Sequence, residues 1–276
     1  MKRLCLVGDS DIALWPKELF PSVSSMGDDT DIDIDIDKDG VEVEWEQQHL
    51  VSGHSGVTLA EVLPHLRTVL ARSSEDKDNE RMRVITSSLS SSSDTSTRTT
   101  TTFIVACAGE NDIGQGLTLT QSIKAMRELL DIVFLDDDDD HQHHHNNRYL
   151  LFLGPKFEPW LEHCNDPIYK KKYIRMTLEL QRLCQEYEVE KSTINGNNGD
   201  TTNRNTNRIT FIDCLTMFCD ETTATIPGAR LGGRARADPQ FFSSDQLHLG
   251  KEGYKIWKEV VENQIQHSIL SSSISS

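Results

Sequence analysis

The sequence lacks a long apolar run. The longest uninterrupted one is the six residues Phe103 to Ala108, far short of the roughly 20 residues that a helix needs to span a bilayer. The apolar stretch Leu4 to Val7 is also shorter than the h-region of a signal peptide, which has at least about 7 residues. We therefore expect no membrane span, no export signal and a cytoplasmic location.

Positive charge is scarce as well. The 276 residues include 28 Lys and Arg against 44 Asp and Glu, for a formal net charge of −16. The acidic tracts 28–39 and 136–140 account for eleven of these net charges. Because affinity for nucleic acids depends on basic side chains that neutralise phosphates, the composition argues against a nucleic-acid partner. Because most of the net negative charge lies in these two tracts, the acidity does not indicate a functional site.

Cysteine pairs with the spacing of a metal or redox site are absent. The six cysteines form no CxxC motif, so we expect reduced thiols, most of them buried as small apolar side chains, and no disulfide framework. The Asp- and His-rich tract 136–145 lacks the spacing of a tetrahedral metal site, which favours a solvated insertion. The sequence thus predicts neither a cofactor nor a metal.

Four segments contain few residue types and little apolar surface. They are 25–39, 73–101, 136–147 and 192–207; between Thr86 and Thr102, for example, 14 of 17 residues are Ser or Thr. Such segments bury too little apolar area to offset the entropy of ordering them. The other 204 residues fit one domain, so we predict a single domain over 1–276 with four low-complexity insertions. An interaction scaffold that works through these insertions is an alternative function.

Elsewhere, short apolar runs alternate with helical periodicity. The runs read as buried strands at Arg3–Val7, Val41–Val51, Phe103–Ala108, Tyr149–Leu153 and Ile209–Asp213. Helical patterns cover 58–71, 119–133, 173–187 (with Asp166-Pro167 as its start) and 254–265. This alternation predicts an α/β fold, a three-layer α/β/α sandwich around a five-stranded parallel sheet.

The insertions and the polar motifs fall at opposite ends of the predicted strands. Each insertion follows a helix and precedes a strand, which places it at the amino ends, whereas ligands bind outside the carboxyl ends. At the carboxyl ends lie Gly8-Asp9-Ser10, Gly53-His54-Ser55-Gly56 and Gly109-Glu110-Asn111-Asp112, and Asp245-Gln246-Leu247-His248 precedes the last helix. Each motif alone is typical of a turn or a helix cap. Together, at one edge of the predicted sheet, the four motifs indicate a functional site.

In these four motifs, and in Gly253-Tyr254 and Trp257 after them, the sequence resembles the SGNH (GDSL-type) hydrolase family of esterases and lipases. The resemblance spans most of the chain outside the insertions. It implies a flavodoxin-like strand order 2-1-3-4-5. It also implies Ser10 as nucleophile, His248 as base, Asp245 as the acid that orients the base, and Ser10, Gly56 and Asn111 as oxyanion-hole donors.

The chemistry of these residue types agrees with such roles. A serine hydroxyl needs a neutral imidazole to accept its proton, and the imidazole needs a carboxylate on its other nitrogen. We therefore expect a serine esterase that acts on small-molecule esters, with small soluble acyl groups, O-acetyl among them, favoured. Two alternatives stay open, a lysophospholipase or thioesterase for longer acyl chains and a non-catalytic binding protein on the same fold. The oligomeric state is not indicated.

Several residues near these motifs have more than one interpretation. Asp11 follows the serine where many relatives have glycine nearby, and could disfavour anionic substrates or cap the first helix. Lys156 and Trp160 follow the fourth strand and could meet substrate, although a rigid packed loop is favoured. The aromatic residues of the last long connection could line a pocket or pack a loop; they are Phe218, Phe241 and Phe242.

Overall fold

The structure is a computed structural model that describes residues 2–21, 49–71, 101–135, 147–163, 167–196, 208–219 and 237–274. The four predicted insertions lie outside these residues except at their edges, and so do residues 41–48 of the predicted second strand. The prediction of a single domain with four insertions therefore stays a prediction.

Five parallel strands form one sheet. They are β1 (Lys2–Gly8), β2 (His49–Gly53), β3 (Thr101–Cys107), β4 (Asn147–Leu153) and β5 (Ile209–Ile212). Their order is β2-β1-β3-β4-β5, which confirms the expected order. The runs Leu4 to Val7 and Phe103 to Ala106 are fully buried, as strands covered on both faces require. β5 ends one residue before the predicted end.

Helices connect the strands and cover the sheet. They are α1 (Ser10–Leu14), α2 (59–71), α3 (Glu110–Gly114), α4 (Leu119–Phe134), α5 (Pro159–His163), α6 (Pro167–Gly196) and α7 (Lys251–Ile274). α4 begins where Thr118 and Gln121 form a capping box. Short 3-10 turns lie at Lys17–Leu19 and Pro239–Phe241. No helix in the described ranges is long and apolar enough to cross a membrane.

Aromatic packing fixes the last connection against the final helix. Trp257 of α7 is fully buried, and its ring lies 5.5 Å from that of Trp15 and 6.2 Å from that of Phe218. Phe218 in turn contacts the rings of Phe241 and Phe242 at 5.9 and 6.0 Å. These three phenylalanines therefore pack a loop, the second of the two interpretations. The five described cysteines are free and buried, as expected.

Candidate active site

Ser10 lies at the carboxyl edge of the sheet because β1 ends in a close-packed glycine. A Cβ atom on Gly8 would lie 2.2 Å from the carbonyl oxygen of Cys107. Asp9 then caps α1, since its Oδ1 accepts a hydrogen bond of 3.1 Å from the backbone N–H of Asp11. Ser10 is the first residue of α1 and is half-buried. The cap is Asp9, so the interpretation of Asp11 as the helix cap is wrong.

His248 and Asp245 reach Ser10 from the far end of the chain. The Nε2 atom of His248 lies 3.0 Å from Oγ of Ser10, and its Nδ1 lies 2.7 Å from Oδ2 of Asp245. The other carboxylate oxygen, Oδ1, accepts the hydroxyl of Ser243 and the backbone N–H groups of Leu247 and His248. The structure therefore brings the three predicted side chains into one hydrogen-bonded chain.

The carboxyl group of Asp245 is held in its ionised form. Partial burial alone would raise its pKa, but the hydrogen bonds from Ser243, the His248 ring and the two backbone N–H groups hold the pKa well below its usual range. The anion therefore persists at neutral pH beside Nδ1 of His248. Such a neighbour favours the tautomer that carries its proton on Nδ1 and leaves Nε2 free to accept one from Ser10.

The predicted oxyanion-hole residues lie at the ends of β2 and β3. Asn111, in α3, lines a cleft with Ser10 and His248. Its Nδ2 donates one hydrogen bond of 3.1 Å to the carbonyl of Val57, so the second amide hydrogen stays available. Gly56 has a positive φ of 74° and is exposed, and Gln115 donates to its carbonyl at 2.7 Å. Gly56 is not among the residues that line the cleft.

Asp112 anchors this edge, a role that its place in the motif Gly109-Glu110-Asn111-Asp112 does not predict. Oδ2 of Asp112 accepts the backbone N–H of Leu59 at 2.8 Å, and its Oδ1 accepts the hydroxyl of Ser122 at 2.8 Å. The carboxyl is buried, and burial raises its pKa despite these hydrogen bonds. One side chain thus joins α3 to the starts of α2 and α4.

A cluster of buried charged groups in the wall of the cleft was also missed. Lys156 is fully buried, and its Nζ atom lies 2.5 Å from Asp11, 2.7 Å from Glu110 and 2.9 Å from Glu158. The side chains of Asp11 and Glu158 are also buried. Trp160 donates its indole N–H to Glu158. Asp11 is therefore paired with a cation under the nucleophile.

The protonation of this cluster follows from its one cation. Burial alone would lower the pKa of Lys156, but the three carboxylates raise it well above its usual value, so it is charged. Burial would raise the pKa of Glu110, but Lys156 and hydrogen bonds from Glu158 and Lys156 lower it. Burial and the neighbouring Glu110 raise the pKa of Glu158 well above its usual value. A proton in this cluster is therefore favoured on Glu158 over Glu110.

Three buried groups near the site have the atoms to ligate a metal. The ligand atoms of Asp9, Asp11 and Cys107 lie within 4.8 Å of one another. Lys156 already provides a positive charge beside Asp11, at 2.5 Å.

The cleft beside Ser10 is small. It encloses about 380 Å³, near the lower end of the usual range for ligand sites. Trp160, Tyr169 and Leu247 form its apolar lining, and the Trp160 and Tyr169 rings lie 5.5 Å apart. Trp160 thus lines the cleft and packs against Tyr169 of α6, while its contact with substrate stays a prediction.

Among known proteins, only solved structures are similar to this chain. No family model matches the chain, and no curated protein matches it significantly. Similar solved structures include a lipase/acylhydrolase from Enterococcus faecalis (14% identity, 97% of this chain and 96% of that one, TM-score 0.46). A GDSL-like lipase from Bacteroides thetaiotaomicron is similar at 12% identity, over 96% and 88% of the two chains, with a TM-score of 0.47.

A third structure is that of a carbohydrate acetylesterase family member from Sinorhizobium meliloti. It is 15% identical over 97% of this chain and 99% of its own, with a TM-score of 0.47. At such identities and TM-scores, any function of this chain has to be argued from its own residues.

Proposed function

We propose that this protein is a serine esterase of the SGNH type. The single observation that supports the proposal best is the hydrogen-bonded chain from Oγ of Ser10 through the His248 ring to the Asp245 carboxylate, with distances of 3.0 and 2.7 Å. These are the three residues of the sequence motifs, and they join segments 238 residues apart. Neutral imidazole between a hydroxyl and a carboxylate is the arrangement that activates a serine.

The reaction then proceeds in two halves. Oγ of Ser10 attacks the ester carbonyl carbon while Nε2 of His248 accepts the hydroxyl proton. The tetrahedral intermediate collapses, the bond to the alcohol oxygen breaks, and His248 gives the proton to the leaving alcohol. Water attacks the resulting acyl-serine with His248 again as base, which releases the carboxylic acid and restores Ser10.

The negative oxygen of each tetrahedral intermediate needs donors. In the proposal these are the backbone N–H groups of Ser10 and Gly56 and the free amide hydrogen of Asn111. Removal of one such donor costs about 3–4 kcal/mol in the barrier for related chemistry. Of the two donors outside Ser10, Asn111 has stronger support than Gly56. Asn111 lines the cleft together with Ser10, whereas Gly56 does not line it.

Small acyl groups are the proposed substrates. A cleft of about 380 Å³ with a short apolar lining suits a short acyl group such as acetyl. Hydrolysis of longer acyl chains, as by a lysophospholipase or thioesterase, is the alternative. Esters from acetate to palmitate, assayed beside acetylated sugars, separate the two, since the proposal requires kcat/KM to fall as the chain lengthens.

The test of the reaction itself is Ser10→Ala. We expect loss of p-nitrophenyl acetate hydrolysis and of labelling by a fluorophosphonate probe. Ser52→Ala is the matched control, because Ser52 lies on β2 and its hydroxyl contacts His54 instead; it should keep both properties. Labelling that persists in Ser10→Ala would remove Ser10 from its role. A wild-type protein that neither labels nor hydrolyses any ester would favour the binding-protein alternative.

A further inference from the structure

The ammonium group of Lys156 has no capacity left for a substrate. It carries three N–H donors, and three carboxyl groups lie within 2.9 Å of it, on Asp11, Glu110 and Glu158. Its side chain is only 1% exposed even though the residue borders the cleft. Lys156 therefore does not act on substrate directly, and its effect on the reaction has to pass through these three partners.

Two of the partners are sequence neighbours of proposed catalytic groups. Asp11 follows Ser10 in α1, and Glu110 precedes Asn111 in α3. We propose, on the basis of the esterase function above, that Lys156 is a positioning residue that fixes the distance between the nucleophile and the oxyanion-hole amide. It does so by binding the carboxylates beside them with one buried ammonium.

The two helices need such an anchor because they are short. α1 and α3 have five residues each, far fewer than the roughly 12–15 at which a helix becomes stable by its own hydrogen bonds. Their positions therefore depend on contacts outside the helix. The Lys156–Asp11 and Lys156–Glu110 pairs, at 2.5 and 2.7 Å, join the two through one atom.

Lys156 is itself held firmly in place. Its backbone N–H donates to Oε1 of Glu110 at 2.8 Å, and its carbonyl accepts the hydroxyl of Tyr173 in α6 at 2.7 Å. Asp11 extends the connection to the histidine loop, because its Oδ1 accepts the backbone N–H of Leu249 at 3.4 Å. The network thus reaches the nucleophile, the amide and the base.

Lys156→Met tests the proposal with a side chain of similar length and no charge. Without the ammonium the three carboxyls are buried together with no cation, and α1 and α3 lose their common partner. We expect kcat for p-nitrophenyl acetate to fall about 10- to 100-fold, since misplacement by about 1 Å has effects of this size, while KM changes less than about threefold, because Lys156 does not touch substrate.

Lys255→Met is the matched control. It removes the ammonium of an equally short ion pair, 2.7 Å from Glu252, on the exposed face of α7, and should leave kcat unchanged. Val69→Ala, a core truncation near the far end of α2, controls for loss of stability, and its kcat should also stay at the wild-type value. A Lys156→Met protein with wild-type kcat would overturn the proposal.

A double-mutant cycle with Asn111→Ala separates positioning from general damage. If Lys156 acts by placing Asn111, the loss of Asn111 should lower kcat about 100-fold in the wild type but less than about tenfold in Lys156→Met, because the amide is already misplaced there. Additive effects would refute the proposal even if Lys156→Met is slow.

Glu110→Gln provides the same cycle if Lys156→Met does not fold. This nearly isosteric change keeps the acceptor for the backbone of Lys156 and removes the one for its ammonium. We expect the same non-additivity with Asn111→Ala, and additive effects would again overturn the inference. Failure of the esterase function is distinguishable, because the wild type would then hydrolyse no ester or Ser10→Ala would keep the wild-type turnover.

Discussion

Asp245→Asn isolates the contribution of the proposed orienting acid. Asparagine keeps Oδ1, so it can still accept the backbone N–H groups of Leu247 and His248, which lie 2.9 and 3.0 Å away. At the other position an NH2 group replaces the oxygen that faces Nδ1 of His248 at 2.7 Å. Two donors would then face each other, so the ring has to adopt the tautomer with its proton on Nε2.

That tautomer cannot accept the proton of Ser10. The corresponding change in a buried triad lowers kcat about ten-thousandfold. The Asp245 side chain is 48% exposed, so water can partly take its place beside the ring, and we expect a loss nearer about a thousandfold. The assay is kcat for p-nitrophenyl acetate at pH 7 to 8, with the melting temperature measured in parallel.

Asp238→Asn is the matched control, because Asp238 caps the 3-10 turn of the same connection and contacts Gln240. It should keep full activity. If Asp245→Asn keeps kcat within about tenfold of the wild type, the carboxylate does not set the tautomer and the reasoning fails.

The same variant has a predictable effect on stability against pH. Because the pKa of Asp245 is lower in the folded protein, its contribution to the free energy of unfolding is present above its unfolded pKa of about 3.9 and disappears as pH falls. Exposure limits it to at most about 1 kcal/mol. The difference between wild type and Asp245→Asn should therefore begin to shrink near about pH 5 and be lost as pH falls through the lowered folded pKa, as urea titrations can show.

Two further predictions concern groups outside the proposed triad. Asp112→Ala leaves the N–H of Leu59 and the hydroxyl of Ser122 without their buried acceptor, so we expect a loss of about 2–4 kcal/mol in urea unfolding; a loss under about 1 kcal/mol would contradict this account of the anchor. Burial raises the thiol pKa of four cysteines, to about 12 for Cys5 and Cys184 and above the usual value for Cys107 and Cys214. We expect these four thiols to react with a thiol reagent only after the protein unfolds, and peptide mapping of the labelled protein checks this.

The sheet and the edge of the site could be predicted because both depend on local pattern. Apolar runs such as Phe103–Ala108 are typical of strands buried on both faces, and helices between them require parallel pairing. Parallel strands bring their carboxyl ends to one edge, so the sequence alone assigns Ser10 and Asn111 to the same edge of the sheet. The strand order came from the family resemblance, not from the pattern.

The buried cluster could not be predicted in this way. Lys156 and Asp11 are 145 residues apart, and no periodicity relates a lysine in one loop to carboxylates in two others. A lysine after a strand is ordinarily exposed, and the sequence leaves two interpretations for Lys156, contact with a polar substrate group and a rigid packed loop, neither of which includes a buried ion cluster. The burial of Lys156 depends on how the segments after neighbouring strands enclose its side chain. That enclosure is a property of the whole carboxyl edge of the sheet.

The cluster also changes the expectation about substrate charge. From the sequence, Asp11 beside the nucleophile could disfavour anionic esters or cap the first helix. In the structure the ammonium of Lys156 lies 2.5 Å from the Asp11 carboxyl group and offsets its charge, and burial raises the pKa of Asp11 as well. We therefore expect Asp11 itself to contribute little to discrimination between neutral and anionic esters.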